Sequence, residues 1–262
     1  MLNFRLVNRL GVPNSCPSTT DAQSFNSYFD LRMTQPFTVL YEDNHLLVVN
    51  KLSGILSQGD ATGDASLIEL CKAYIGEKFK KPGAVFLGLV HRLDRPVSGV
   101  VVLARTSKAL ERMNALFRNK ETKKTYWAIV KNKPRSDHET LKHWLIKDDK
   151  KNRTTAFKKE TEGAQYAELD YRVIAAEAGH WLLEVSPLTG RPHQIRVQLA
   201  SMGCPIKGDV KYGDSEANDD GSICLHAKQL SFEHPIRKVP LTIKAPLPGM
   251  GLWKYFLKLD LE

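Results

Sequence analysis

From Phe37 onward, short apolar runs of strand length alternate with polar punctuation. Thr38-Val39-Leu40-Tyr41 and Leu46-Leu47-Val48-Val49 flank Glu42-Asp43-Asn44-His45, which predicts strand, turn, strand. Val100-Val101-Val102-Leu103 is apolar without alternation and rich in β-branched residues, the pattern of a buried strand. Tyr126-Trp127-Ala128-Ile129-Val130, Leu169 to Ile174 and Trp181 to Val185 read as further strands. The period changes after Ala104. Leu110, Met113, Leu116 and Phe117 share a helical face that Thr106 or Ser107 can cap. A second helix is expected after Pro192, a residue tolerated in a first helical turn. Ile195, Leu199 and Met202 lie on one of its faces, and Gly203 is placed to stop it. Strands outnumber helices and come in hairpin-like pairs, so the expected fold class is α+β, with a mixed, largely antiparallel sheet flanked by helices and loops.

Two stretches depart from this pattern. Residues 1–36, with the polar run Asn14 to Thr20, read as a loosely ordered N-terminal extension, leaving 37–262 as the main domain. Lys131 to Thr155 reads as a polar insert whose Asp148 to Arg153 segment is an exposed turn. The lysines from Lys142 to Lys159 are either a solvated face or a flank for a polyanion.

Composition narrows the classes. With 262 residues and 42% hydrophobic content, the chain can bury a core. Its net charge of +9 suits a polyanionic partner, although many proteins are mildly basic without one. Cys16, Cys71, Cys204 and Cys224 form no CxxC pair, so no structural zinc is expected and they read as buried, reduced thiols. No apolar run approaches the roughly 18 residues of a membrane span, and no secretory signal is present. Arg5 and Arg9, with no acid before Asp21, share the charge pattern of a transit peptide, but the expected location is cytoplasmic.

Two constellations carry chemistry. In His91-Arg92-Leu93-Asp94-Arg95-Pro96-Val97-Ser98-Gly99, two arginines flank one carboxylate just before an apolar strand. Nearby cations favour a charged carboxylate, which can act as nucleophile or base. An ion-pair network that merely fixes a loop would show the same residues. In Leu188-Thr189-Gly190-Arg191-Pro192-His193-Gln194-Ile195-Arg196-Val197-Gln198-Leu199-Ala200, donors crowd a helix start, where free N–H groups and arginines suit phosphate. A solvated basic helix face is the alternative.

The first block resembles the H-R-L-D-x-x-T-S-G signature of the RluA-type pseudouridine synthases, and the second resembles that family's T-G-R-x-H-Q-I-R-x-H-L-A. Leu40 to Gly54, Lys124 to Ala128, Gly208 to Gly213 and Leu225 to Ala227 resemble other family blocks in the expected order. The resemblance spans residues 37–262 and implies the pseudouridine synthase fold. It also implies an isomerase that converts uridine to pseudouridine in structured RNA, ribosomal or transfer, without cofactor or metal. DNA and membranes are not expected partners, and a monomer is. By resemblance, Asp94 is the essential carboxylate, and Tyr126 stacks on the target base and assists proton loss from C5. Arg196 is the arginine that pairs with Asp94, and Arg92 fills the gap left by the flipped nucleotide. Arg191, His193 and Gln194 are assigned to substrate binding, with His91 and His193 also expected to form structural hydrogen bonds. Leu52, Val97 and Gln198 stand where the family usually has proline, threonine and histidine. The residues before the match are too few for the S4 domain that family members often carry. A non-catalytic RNA-binding protein and an N-glycosidase are the rival functions, and an intact Asp94, Tyr126 and Arg196 argue against the first.

Overall fold

A computed structural model describes residues 36–260, so the extension assigned to 1–36 lies outside the described residues except for Pro36. Eleven strands join in one sheet: β1 (Phe37–Glu42), β2 (Leu46–Lys51), β3 (Gly88–Leu89), β4 (Ser98–Ala104), β5 (Lys123–Val130), β6 (His138–Asp148), β7 (Arg153–Phe157), β8 (Gln165–Glu177), β9 (His180–Pro187), β10 (Leu225–Glu233) and β11 (Pro240–Lys244). The main path runs β1-β2-β4-β10-β5-β9-β8-β6-β7, with β3 on β4 and β11 on β10. Only the β4–β10 pair is parallel, so the sheet is mixed and largely antiparallel.

The unbroken apolar runs of β2 and β4 follow from cover on both faces. Leu47, Val49, Val101 and Leu103 pack on one face with Leu67, Cys71 and Ile75 of helix α1 (Leu67–Lys78). Leu46, Val48, Val100 and Val102 pack on the other with Ala109 and Met113 of α2 (Ser107–Arg118). Successive strand residues point to opposite faces, so a strand between two helical layers must be apolar at every position. Thr106 caps α2 by accepting from the Ala109 N–H at 3.2 Å. Helix α1 was not expected, yet its N-terminus carries a capping signal. The Glu69 carboxylate accepts from the Ser66 N–H and hydroxyl, both at 2.8 Å.

The polar insert contains strands not expected from the sequence: His138–Asp148 and Arg153–Phe157 form the long β6–β7 hairpin, and the expected exposed turn lies at its tip, 149–152. Leu141, His143 and Leu145 alternate inward along β6, while Lys142 between them points outward. Helix α3 is Gln194–Ser201, with Gly203 at φ +84° just beyond it. Pro192 precedes this helix rather than opening it, because His193 is the N-cap in the left-handed region at φ 54°. All of Gln194 to Leu199 is buried, which removes the solvated-face reading of this helix. Cys71, Cys204 and Cys224 are free and buried. No described helix is long and apolar enough to cross a membrane.

Candidate active site

The loop between β3 and β4 that carries Asp94 is pinned from several sides. Ser57 Oγ donates to the Leu93 carbonyl at 2.7 Å and accepts from the Leu93 N–H at 3.0 Å. The Arg95 carbonyl accepts from the Gly54 N–H at 2.8 Å and from Lys51 Nζ at 3.2 Å. The Pro96 carbonyl accepts from the Ile223 N–H at 3.1 Å. Lys51 is fully buried, and its other two protons go to the carbonyls of Leu52 and Ile55. Burial pushes its ammonium down to about 7 against the opposing pull of Asp94. Past the loop, Ser98 meets His226 Nδ1 at 2.8 Å, locking the start of β4 to β10.

Asp94 keeps a side chain 30% exposed to a cleft of about 910 Å³. Its flanking arginines are not its partners. Arg92 is exposed at the cleft with no ion-pair partner among the described residues, and Arg95 bonds Gly54 and Asp64. The partner is Arg196 on α3, whose Nη1 donates to Asp94 Oδ2 at 2.8 Å. The two-pronged edge of Arg196 faces Asp209, with Nε to Oδ2 at 2.6 Å and Nη2 to Oδ1 at 2.9 Å. The expected pairing of Arg196 with Asp94 is present as a single bond, because the paired donors of the guanidinium are taken by Asp209. Asp209, whose side chain is only 1% exposed, was not singled out from the sequence. Burial disfavours the Arg196 charge, but the bonds to Asp209 and the charges of both acids outweigh it and raise its pKa.

Tyr126 lines the same cleft from β5. Burial first, and then the charge of Asp94, raise its hydroxyl above the usual phenol range, so it is a neutral phenol. His193 Nε2 stands 3.9 Å from Asp94 Oδ2. Its Nδ1 meets the Tyr212 hydroxyl at 2.7 Å, and that oxygen accepts from the Thr154 N–H at 2.8 Å. A hydroxyl that accepts from Thr154 and donates to Nδ1 satisfies all three groups, which assigns the imidazole proton to Nε2, on the Asp94 side. Burial holds this histidine below its ordinary pKa against the pull of Asp94, so it is neutral at pH 7.

The other expected contacts divide. Arg191 lines the cleft, with Nε donating to the Tyr166 carbonyl at 3.0 Å. Gln194 reaches the wall, but its amide is engaged within the protein. It accepts from the Thr189 hydroxyl and the Arg191 N–H and donates to the Glu168 carbonyl. His91 accepts from the Val102 N–H and stacks on Phe117 at 5.0 Å, a structural arrangement. The three departures are accommodated locally. Leu52 donates its N–H to Pro36, a bond that proline lacks, and Val97 is buried in the core. Gln198 bonds Leu141 and His143.

Residues 45–201 match the family described as RNA pseudouridylate synthase. The chain belongs to this family. Pseudouridine synthases are isomerases that act on uridine in RNA, and the relatives agree. The chain is similar to ribosomal large subunit pseudouridine synthase C of Vibrio vulnificus (strain CMCP6), 32% identical over 237 residues, covering 88% of this chain and 71% of that one. It is also similar to the protein of that name from Escherichia coli (strain K12), 35% identical over 217 residues, covering 80% and 66%. The chain thus spans about two thirds of these relatives' lengths. Among solved structures, Human RNA Pseudouridylate Synthase Domain Containing 4 superposes with a TM-score of 0.68 at 25% identity, over 92% of this chain and 96% of that one. Human RNA Pseudouridylate Synthase Domain Containing 1, at 22% identity and a TM-score of 0.65, shares the fold.

Proposed function

We propose that this pseudouridine synthase isomerises uridine in ribosomal RNA, acting as a cytoplasmic monomer through Asp94, with 37–262 as its catalytic domain. The observation that carries this reading is Asp94 held by Arg196 beside Tyr126 in one cleft. The ribosomal substrate rests on the names of the bacterial relatives. Transfer RNA, the other substrate expected from the sequence, is a separate arm of the same assay.

The reaction breaks N1–C1′, turns the base and forms C5–C1′. C5 gives up its proton and N1 gains one, so atoms balance without a redox partner. A uridine within a helix must leave the stack first. Arg92, exposed and without a salt bridge among the described residues, fills the gap. Tyr126, a neutral phenol, stacks on the extruded base. Arg196 leaves Asp94 one oxygen without a hydrogen-bond partner among the described residues, and His193 offers Nε2–H at the substrate's edge. Gln194 positions the 189–191 loop rather than binding substrate, since its amide already has protein partners.

Asp94→Asn keeps an acceptor for Arg196 and removes the charge. Release of tritium from 5-tritiated uridine in large-subunit ribosomal RNA should fall at least about a hundredfold, with RNA affinity unchanged within about twofold. Residual activity above that level rules out Asp94 as the reacting carboxylate.

A further inference from the structure

Seven cations line the cleft, and five are already engaged by the protein. Arg196 holds Asp94 and Asp209, and Arg95 holds Asp64. Lys147 pairs with Asp149, Arg191 bonds the Tyr166 carbonyl, and Lys211 bonds the Asn152 carbonyl. Arg92 is exposed, where water satisfies it. Lys124 differs from all six. It is half-buried, and among the described residues it has neither an ion pair nor a hydrogen bond for its ammonium.

Its surroundings are specific. Lys124 lies two residues before Tyr126 on β5, so both side chains project from the same face of the sheet. Its Nζ sits 5.7 Å from the centre of the Phe117 ring. On the other side, a Cβ at Gly190 would stand 4.0 Å from Nζ, so the absence of a side chain at 190 leaves the ammonium open to the cleft. Burial, and then the charge of Lys120, lower its pKa. An ammonium partly stripped of water without a counter-charge is unfavourable in the free protein. A phosphodiester placed against it supplies the missing charge and hydrogen-bond acceptors.

We propose that Lys124 binds the backbone phosphate next to the extruded uridine, and so fixes where the target nucleotide sits relative to Tyr126. This rests on the reading of the cleft as an RNA pseudouridine synthase site. It adds an anchor that places the strand, beside the groups that act on the base.

The test compares wild type, Lys124→Met, Lys124→Arg and, as a charge control outside the cleft, Lys254→Met. The probe is in vitro transcribed large-subunit ribosomal RNA carrying 5-tritiated uridine. For Lys124→Met, Kd should rise about tenfold at low salt, and the slope of log Kd against log salt should fall by about one. Turnover of bound RNA should stay within a few-fold of wild type. Thermal stability should hold or rise, because an unpaired charge has left a half-buried site. Lys124→Arg should keep the wild-type slope, and so should Lys254→Met. An unchanged Kd and slope in a folded Lys124→Met protein overturns the proposal. Lost stability with no loss of affinity in the folded fraction makes Lys124 a packing residue and also overturns it. Tritium release by wild type is read in the same samples, so failure of the enzymatic reading itself is separable from failure of the phosphate contact.

Discussion

Arg196 has one guanidinium and two carboxylates to serve, and how it divides them decides what Asp94 can do. The paired donors hold buried Asp209, and a single N–H reaches Asp94. The arginine is thus locked by buried Asp209, which holds it in place beside Asp94, the proposed reacting acid, without enclosing that acid. Arg196→Lys keeps the charge but cannot make the fork. Turnover of bound RNA should fall at least about tenfold, with Kd within about twofold and an unchanged salt slope, since this charge is already paired within the protein. Stability should drop by about 3 kcal/mol, because Asp209 is left in a buried site with its oxygens poorly satisfied. Single-turnover rates, filter binding and urea unfolding report the three quantities. A steep loss of affinity with normal turnover would instead make Arg196 a phosphate contact. The pairing of Asp94 with Arg196 was legible from motif blocks 102 residues apart. The share taken by Asp209 was not, because the direction of a side chain in the first turn of α3 depends on how the 204–212 segment folds back on it.

At the scale of elements, legibility followed burial. β2 and β4 are covered on both faces and α2 on one, so their apolar patterns are strong. The β6–β7 hairpin exposes most of its side chains, and its inward set includes a histidine in place of an aliphatic residue, so its alternation is masked by lysines. Yet this hairpin reaches the site. Thr154 donates its N–H to Tyr212, which sets the His193 tautomer, and its hydroxyl bonds the Pro192 carbonyl at 3.0 Å. A backbone bond of this kind carries no residue-type signature. The β4–β10 pair does carry one. Gly99, at φ +118°, lies so close to Ala227 that a Cβ would stand 2.3 Å from its carbonyl oxygen. Backbone cannot step aside as a flexible side chain can, so Gly99→Ala should destabilise the protein by more than about 3 kcal/mol. Urea unfolding measures this, and a loss under about 1 kcal/mol would show that the two strands separate without cost.

For the whole molecule, the charge of +9 gathers meaning once the cleft is seen, since seven cations line it against two acids, Asp60 and Asp94. The same interior makes the protein sensitive to acid. Burial pushes His226 down to about 3, and the side chain is fully buried against Ser98. It is neutral when folded, whereas its unfolded imidazole takes a proton below about 6.5. Between those values the unfolded chain binds more protons, so stability is fully present above about pH 6.5 and is lost as pH falls toward 3. At pH 5 the loss from this residue is about 2 kcal/mol. Denaturant unfolding at pH 7 and pH 5 should show it, and His226→Asn should flatten the difference. A pH difference unchanged by that substitution would place the acid sensitivity elsewhere.

The central claim is that this chain makes pseudouridine in ribosomal RNA and that Asp94 does so. The most direct measurement is a nucleotide-resolution pseudouridine map of ribosomal RNA from cells with the gene, without it, and complemented by wild type or Asp94→Asn. At least one large-subunit uridine should stay unmodified without the gene, regain pseudouridine with wild type, and stay uridine with Asp94→Asn. A ribosomal map that does not change when the gene is removed, or that Asp94→Asn restores, would contradict it.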